Sequence, residues 1–124
     1  MFALEYAAWF DFLLPGLDRL RIPIPLGGTS NHFRIGALRA AGGWDAFNVT
    51  EDADLGVRLA RLGYRVLPLD SSTYEEAVPA LRGWIRQRSR WLKGYMQTVL
   101  VHSRAPFGFV RILGLWPFFG FTVF

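Results

Sequence analysis

The longest stretch of helical periodicity in the chain runs from Val78 to about Ser103, a rod of about seven turns. Leu81, Ile85, Leu92, Met96 and Val99 recur along it at the helical spacing and make one apolar stripe. In a chain of 124 residues, the size of one ordinary domain, the remaining elements must arrange themselves around such a rod. The stripe is expected to lie on a core or on a membrane surface. A different face of the same helix carries Gln87, Arg90 and Trp91 at i, i+3 and i+4. Gly83 and Gly94 lie on that side too. A glycine costs about 1 kcal/mol in a helix interior, so the pair implies close approach by something bulky. An amide, a guanidinium and an indole together can hold a sugar and a phosphate, since indole stacks on a pyranose and the planar guanidinium fork suits phosphate oxygens. A solvated basic face with an interfacial tryptophan accounts for the same residues.

Before this rod the pattern alternates. Residues 2–20 suggest a helix that Pro15-Gly16 breaks or kinks. "RIPIPLGG" is expected to be extended, because a residue preceding proline is pushed out of the α region. "IGALRAAGG" predicts a short helix closed by Gly42-Gly43. Glu51 to Leu62 predicts a clear helix, with Leu55, Leu59 and Leu62 on one face and Gly63 where a terminating glycine belongs. "YRVLPL" reads as a strand, and "SSTYEEA" as another short extended piece. Helix and strand in alternation predict an α/β arrangement.

Charge divides the chain. Residues 1–76 hold 7 Arg against 10 Asp or Glu, a net of −3, whereas residues 77–124 hold 6 Arg and 1 Lys with no acid, a net of +7. A basic, aromatic, acid-free segment suits anionic lipid head groups or a phosphate-bearing substrate. Nucleic acid is set aside, because no helix-turn-helix, zinc or RNP-type pattern appears. The absence of cysteine excludes disulfides and thiolate metal sites. The N-terminus has neither the positive region nor the small-residue site of a signal peptide and reads as a helix starting abruptly. At the other end, "LGLWPFFGFTVF" carries no charge. It is shorter than the roughly 20 apolar residues that span a bilayer, and with Arg111 and Trp116 as an interfacial flank it reads as the start of a membrane segment. A buried core helix is the other reading.

Glu51, Asp52 and Asp54 crowd three like charges into four positions. Asp52-Ala53-Asp54 has the letters of a metal-binding pair, but residues i and i+2 of a helix point to different sides. Acids in a first turn meet the positive end of the helix dipole, and Asn48 with Glu51 fits a capping box. A carboxylate held at a helix N-terminus and facing a hydroxyl also makes a sensible general base. His32 and His102 are expected to be packing or surface residues, since nothing pairs with either at metal spacing.

Three pieces stand in one order: "LGGTSNHFR", "VTEDADLGVRLARLGYRV" and "STYEEAVPALRGWIRQRSRWLKG". The order resembles the second half of the catalytic domain of processive family 2 glycosyltransferases, the cellulose-synthase-like and related exopolysaccharide synthases. In that family a Thr-Glu-Asp stretch, here Thr50-Glu51-Asp52, precedes a Gln-x-x-Arg-Trp stretch, here Gln87-Arg88-Ser89-Arg90-Trp91.

The resemblance implies an inverting sugar transfer on a partial GT-A-like domain, its second half only. Residues 1–104 would form that half, including an interfacial helix 78–103, and residues 105–124 would begin a truncated transmembrane region. Asp52 would be the catalytic base. Arg90 would hold the nucleotide diphosphate, Trp91 would stack on the acceptor sugar, and Gln87 and Arg88 would complete that pocket beside Thr50 and Glu51. Gly28, Thr29 and Ser30 fall where the family lines its acceptor site, and His32 nearby could hydrogen-bond a sugar hydroxyl. Gly27-Gly28-Thr29 departs from the aromatic-Cys-Gly-Ser stretch of cellulose synthases, which argues against a cellulose product. The implied partners are a nucleotide-sugar donor, a glycan acceptor and membrane lipid, with the catalytic part on the cytoplasmic side of a bacterial-type inner or plasma membrane. A divalent cation, Mg or Mn, is implied for the intact enzyme with its ligands outside this chain, so this stretch alone is expected to be inactive. The rival reading is a small amphipathic membrane-surface protein whose acids and arginines are structural.

Overall fold

Residues 2–104 and 106–123 are described by a computed structural model. Met1, Ala105 and Phe124, at the ends and junction of the two expected units, lie outside them. The N-terminal helix is not broken at Pro15. It runs as α1 (Phe2–Ala7), a π-helical stretch (Ala8–Leu13) and α2 (Leu14–Arg19). A proline ring collides with the carbonyl four residues back, here that of Asp11. The wider π turn moves that carbonyl aside, and the Leu14 N–H bonds Trp9 O, five residues back.

The segment "RIPIPL" is extended, as its prolines require, and Ile22, Ile24 and Leu26 are buried in alternation with half-buried Pro23 and Pro25. It crosses α4 (Glu51–Arg61) at Gly56, where a β-carbon would come within 2.7 Å of Ile24 O. A glycine is needed there for the backbones to approach. Two apolar clusters flank this crossing. Leu14, Leu17, Ile22 and Ile24 form one, with Trp9 and Leu13 against them; Leu26, Ala41, Leu55 and Leu59 form the other, and Val66 packs on both.

α3 (Ile35–Ala40) and α4 end as expected, at Gly42 (φ +79°) and Gly43 (φ +71°), and at Gly63 (φ +81°). The N–H of Gly43 reaches Leu38 O and that of Tyr64 reaches Leu59 O, each at 3.0 Å, closing the last turn of each helix.

The expected α/β alternation is not found: among the described residues there is no strand. "YRVLPL" and "SSTYEEA" carry no regular secondary structure, and neither joins a strand ladder among the described residues. Val66 alone of the first turns inward far enough to pack, leaving Leu67 and Leu69 exposed.

The long helix α5 spans Leu81–Ser103. Its apolar stripe does not form the core. Leu81, Ile85, Leu92 and Met96 are each more than half exposed, and the buried residues of α5 are Gly94, Thr98 and His102. Burial follows the hydrogen-bonding side, because that side meets partners on α4 and the segment before it.

α6 (Pro106–Leu113) and α7 (Leu115–Val123) are separated at Gly114 (φ +92°). No described helix is long and apolar enough to cross a membrane. Trp116, expected as an interfacial flank, donates its indole N–H to Leu20 O at 3.1 Å, and Gly120 lies against Ile22, so α7 folds back over the chain.

Candidate active site

The first turn of α4 carries the three acids, and the structure gives them three different environments. Glu51 is exposed. Asp52 is half-buried, with Oδ1 accepting the Ala53 N–H at 2.8 Å. Its other oxygen lies 3.5 Å from where a β-carbon on Gly28 would stand, so the Gly27-Gly28 turn closes over the carboxylate. Burial, joined by the charge of Glu51, pushes the Asp52 carboxyl above the usual range, although backbone N–H bonds oppose the shift.

Asp54 is buried and faces elsewhere. Its Oδ1 meets His102 Nε2 at 2.8 Å, and its Oδ2 accepts from Arg58 Nε at 2.7 Å. Burial pushes this carboxyl up, but the hydrogen bonds from His102 and Arg58 and the charge of Arg58 outweigh it, and the pKa is lowered. The letters Asp-x-Asp are therefore split between two surroundings. Among the described residues no three His, Cys, Asp or Glu side chains gather to hold a cation.

The expected capping box is not formed. Thr50, not Asn48, occupies the N-cap position. Asn48 Oδ1 accepts the Thr50 N–H at 3.1 Å in a local turn, while its Nδ2 donates to Thr98 at 3.0 Å. Thr50 is buried, and its side chain fills the space that a β-carbon on Gly94 would occupy. Val78 Cγ1 similarly lies 2.9 Å from the β-carbon position of Gly83. The two helix glycines thus admit this chain's own side chains, not a ligand.

On α5 the Gln-x-x-Arg-Trp residues divide as well. Arg88 Nη2 donates to Glu5 at 2.6 Å, and its guanidinium lies 4.0 Å from the centre of the Trp91 ring. Trp84 donates to the same Glu5 at 3.2 Å. The bond from Arg88 holds Glu5 below the usual carboxylate range against its partial burial. Gln87 accepts weakly from Arg88 at 3.4 Å. Arg88 is therefore committed to α1 and to orienting Trp91. Arg90, by contrast, is exposed and makes no ion pair with a described residue, so its guanidinium is available for a diphosphate.

Tyr95 joins the two motifs. One turn beyond Trp91, it stacks with Trp9 at 6.5 Å, and its phenol is pushed up to about 12 by burial and then by the charge of Asp52. Thr29 donates to Glu75 at 2.6 Å, and Ser30, in the left-handed region at φ +57°, pairs with Thr73 at 2.6 Å. The "GGTS" turn is thereby tied to "STYEE" and bordered by Asp52. His32 is exposed.

Sequence reading missed Glu5, Trp84 and Tyr95; it expected His102 as a packing or surface residue, and the structure buries it, with Asp54 as a hydrogen-bond partner the sequence did not indicate. One signal was present: positions 84, 88, 91, 95, 98 and 102 alternate steps of four and three, the spacing of an inward helix face.

Comparison with known proteins decides the family. The chain matches Glycosyl transferase family group 2 over residues 2–124. It belongs to that family. It is 34% identical over 101 residues to the probable glycosyltransferase YdaM of Bacillus subtilis, a match covering 78% of this chain and 24% of that protein. It is 35% identical over 68 residues to probable glucomannan 4-beta-mannosyltransferase 1 of Arabidopsis thaliana, covering 54% and 12%. It is 33% identical over 87 residues to the beta-monoglucosyldiacylglycerol synthase of Synechocystis, covering 66% and 18%. The chain thus spans about a quarter or less of each of these relatives. No solved structure is significantly similar to it. Membership in the glycosyltransferase group implies a GT-A-like nucleotide-sugar transferase fold for the family domain.

Proposed function

We propose that the chain forms the acceptor-side part of a membrane-bound, inverting glycosyltransferase of the processive, cellulose-synthase-like kind. The parent protein would transfer a sugar from a nucleotide-sugar donor to a growing polysaccharide. The observation carrying this reading is the half-buried Asp52 carboxylate at the start of α4, closed by Gly28 and held above the usual carboxylate range by burial. A base with a raised pKa accepts a proton more readily than an ordinary carboxylate does.

Asp52 takes the proton of the acceptor hydroxyl as that oxygen bonds the anomeric carbon. The bond from that carbon to the diphosphate breaks on the opposite face, and the configuration inverts. Arg90 stabilises the charge gathering on the departing nucleoside diphosphate. Trp91, held flat by Arg88, stacks on the acceptor ring, and Gly28, Thr29 and Ser30 line the path to Asp52. A divalent cation, Mg or Mn, would supply further charge on the diphosphate; the described residues offer it no ligand set.

The outward side of α5 supports a membrane location with the catalytic part cytoplasmic. There the exposed Leu81, Ile85, Leu92, Met96 and Leu100 run beside Arg82, Arg86 and Lys93, a pattern that suits anionic lipid. The rival reading, an inert amphipathic surface protein, accounts for Arg88, Asp54 and the exposed Arg90, but not for the half-buried Asp52 carboxylate with its raised pKa. The test is Asp52→Asn in the full-length parent, read as incorporation of labelled sugar into polymer. Undiminished incorporation would refute the reading.

A further inference from the structure

The three buried residues of α5 each meet one residue around the start of α4. Gly94 receives Thr50, Thr98 accepts from Asn48 at 3.0 Å, and His102 bonds Asp54 at 2.8 Å. Gly94, Thr98 and His102 are spaced by one turn each, so the three contacts form a ladder along one side of the helix. Asp52 is bracketed by that ladder, with Thr50 before it and Asp54 after it.

The last rung has a defined proton arrangement. Arg61 Nη1 lies 3.1 Å from His102 Nδ1, and a guanidinium only donates, so Nδ1 is the accepting nitrogen. The imidazole proton is then on Nε2 and is donated to Asp54 Oδ1. Asp54 keeps its charge for Arg58 on Oδ2. Both Asp54 and His102 are only 4% exposed. Apolar residues of similar volume commonly stabilise a buried site as well as such a pair does. Neither oxygen of Asp54 is spent on capping α4: Oδ1 accepts from His102 and Oδ2 from Arg58. What the pair supplies is direction: one orientation of α4 about its axis, and one depth along α5.

We infer that Asp54 and His102 are positioning residues, setting the distance and angle between the Asp52 carboxylate and the Arg90–Trp91 end of α5. This rests on the reading of Asp52 as the base. His102 stands eleven residues beyond Trp91, about 16 Å along the helix, so it acts through the register of α4 on α5 and touches no substrate.

The test uses the full-length parent in membranes, normalised to inserted protein, with donor KM and kcat measured separately. His102→Ala lowers kcat about 10- to 100-fold, the cost of misplacing a reacting group by about 1 Å, while donor KM stays within twofold. His102→Gln, whose amide donates to Asp54 and whose carbonyl accepts from Arg61, restores most of kcat. Asp54→Leu, which keeps the volume and abolishes the bond, reproduces the His102→Ala loss and serves where His102→Ala fails to accumulate. Wild-type kcat in inserted His102→Ala or Asp54→Leu overturns the inference. So does an equal loss in His102→Gln and His102→Ala. If Asp52→Asn is inactive in the same assay, only the positioning role has failed; if Asp52→Asn is active, the reading of the base has failed with it.

Discussion

Arg88 lies over the ring of Trp91 at 4.0 Å while donating to Glu5, eighty-three residues earlier in the chain, at 2.6 Å. A guanidinium gripped from one side and stacked on the other fixes the plane of the indole. Glu5→Ala releases that grip without touching the acceptor. The expected result is a rise of about three- to tenfold in the acceptor concentration giving half-maximal rate, following the roughly 1 kcal/mol such cation–ring contacts contribute. Donor KM is unchanged. Initial rates at varied acceptor and fixed donor measure this.

Asp52→Asn lowers the transfer rate by about 10²–10⁴, the usual contribution of a general base. Asp45→Asn, at an exposed acid in the turn before α4 that caps Phe47 N, keeps activity. Asp54→Asn is not a neutral control, because Asp54 is buried against His102 and Arg58.

The raised pKa of Asp52 also sets the acid limb of the rate profile. Activity needs the ionised carboxylate, so kcat/KM falls on acidification at a pH above the ordinary carboxylate range. Removing the Glu51 charge with Glu51→Gln moves that limb to lower pH. A plot of kcat/KM against pH for both proteins checks the direction.

Stability responds to the two aspartates with opposite signs. Folding raises the pKa of Asp52, so its ionisation opposes folding once the pH exceeds the unfolded value, and Asp52→Asn melts higher at pH 7. Folding lowers the pKa of Asp54, so its contribution is present above the unfolded value and is lost as pH falls through the folded one. Asp54→Asn therefore melts lower at pH 7, and its deficit shrinks in acid. Thermal unfolding at pH 7 and below pH 4 separates the two.

Gly56→Ala forces a methyl group against Ile24 O at 2.7 Å, between two backbones that cannot swing away. The overlap costs about 1–3 kcal/mol, more than the roughly 1 kcal/mol gained in helix propensity. A lowered denaturant midpoint with an unchanged slope is the expected result.

The sequence carried local structure well. The leucine spacing and Gly63 delimited α4, the glycine pair ended α3, and the two prolines held residues 22–26 extended. Each of these signals acts within a few residues. Of the two places expected for the apolar stripe of α5, its exposure excludes the core: periodicity tells which side of a helix is apolar, and burial depends on what the other elements offer. Asn48, Thr50 and Asp54 offer hydrogen bonds and a close fit, so Thr98, Gly94 and His102 went inside. A strand is a property of a pair, and "YRVLPL" has no described partner. The gathering of Gly28 against Asp52 was legible through the family resemblance, whereas Glu5 with Arg88 depended on contacts that no local pattern encodes.

The π-helical stretch between α1 and α2 has a consequence for how the N-terminal helix reaches α5. Glu5, Trp9, Leu13 and Leu17 are four residues apart, and all four turn inward, toward Arg88, Tyr95 and the apolar cluster. On a regular α-helix each four-residue step drifts by about 40°, so Leu17 would lie about a third of a turn away from Glu5. The wide turns at Ala8–Leu13 take up that drift and keep the row straight. Pro15→Ala, a change that ordinarily favours a helix, would let the segment tighten and rotate Glu5 out of phase with Arg88. Proline here works as a timing mark: it loosens the winding upstream so that two ends of one helix can serve two different neighbours.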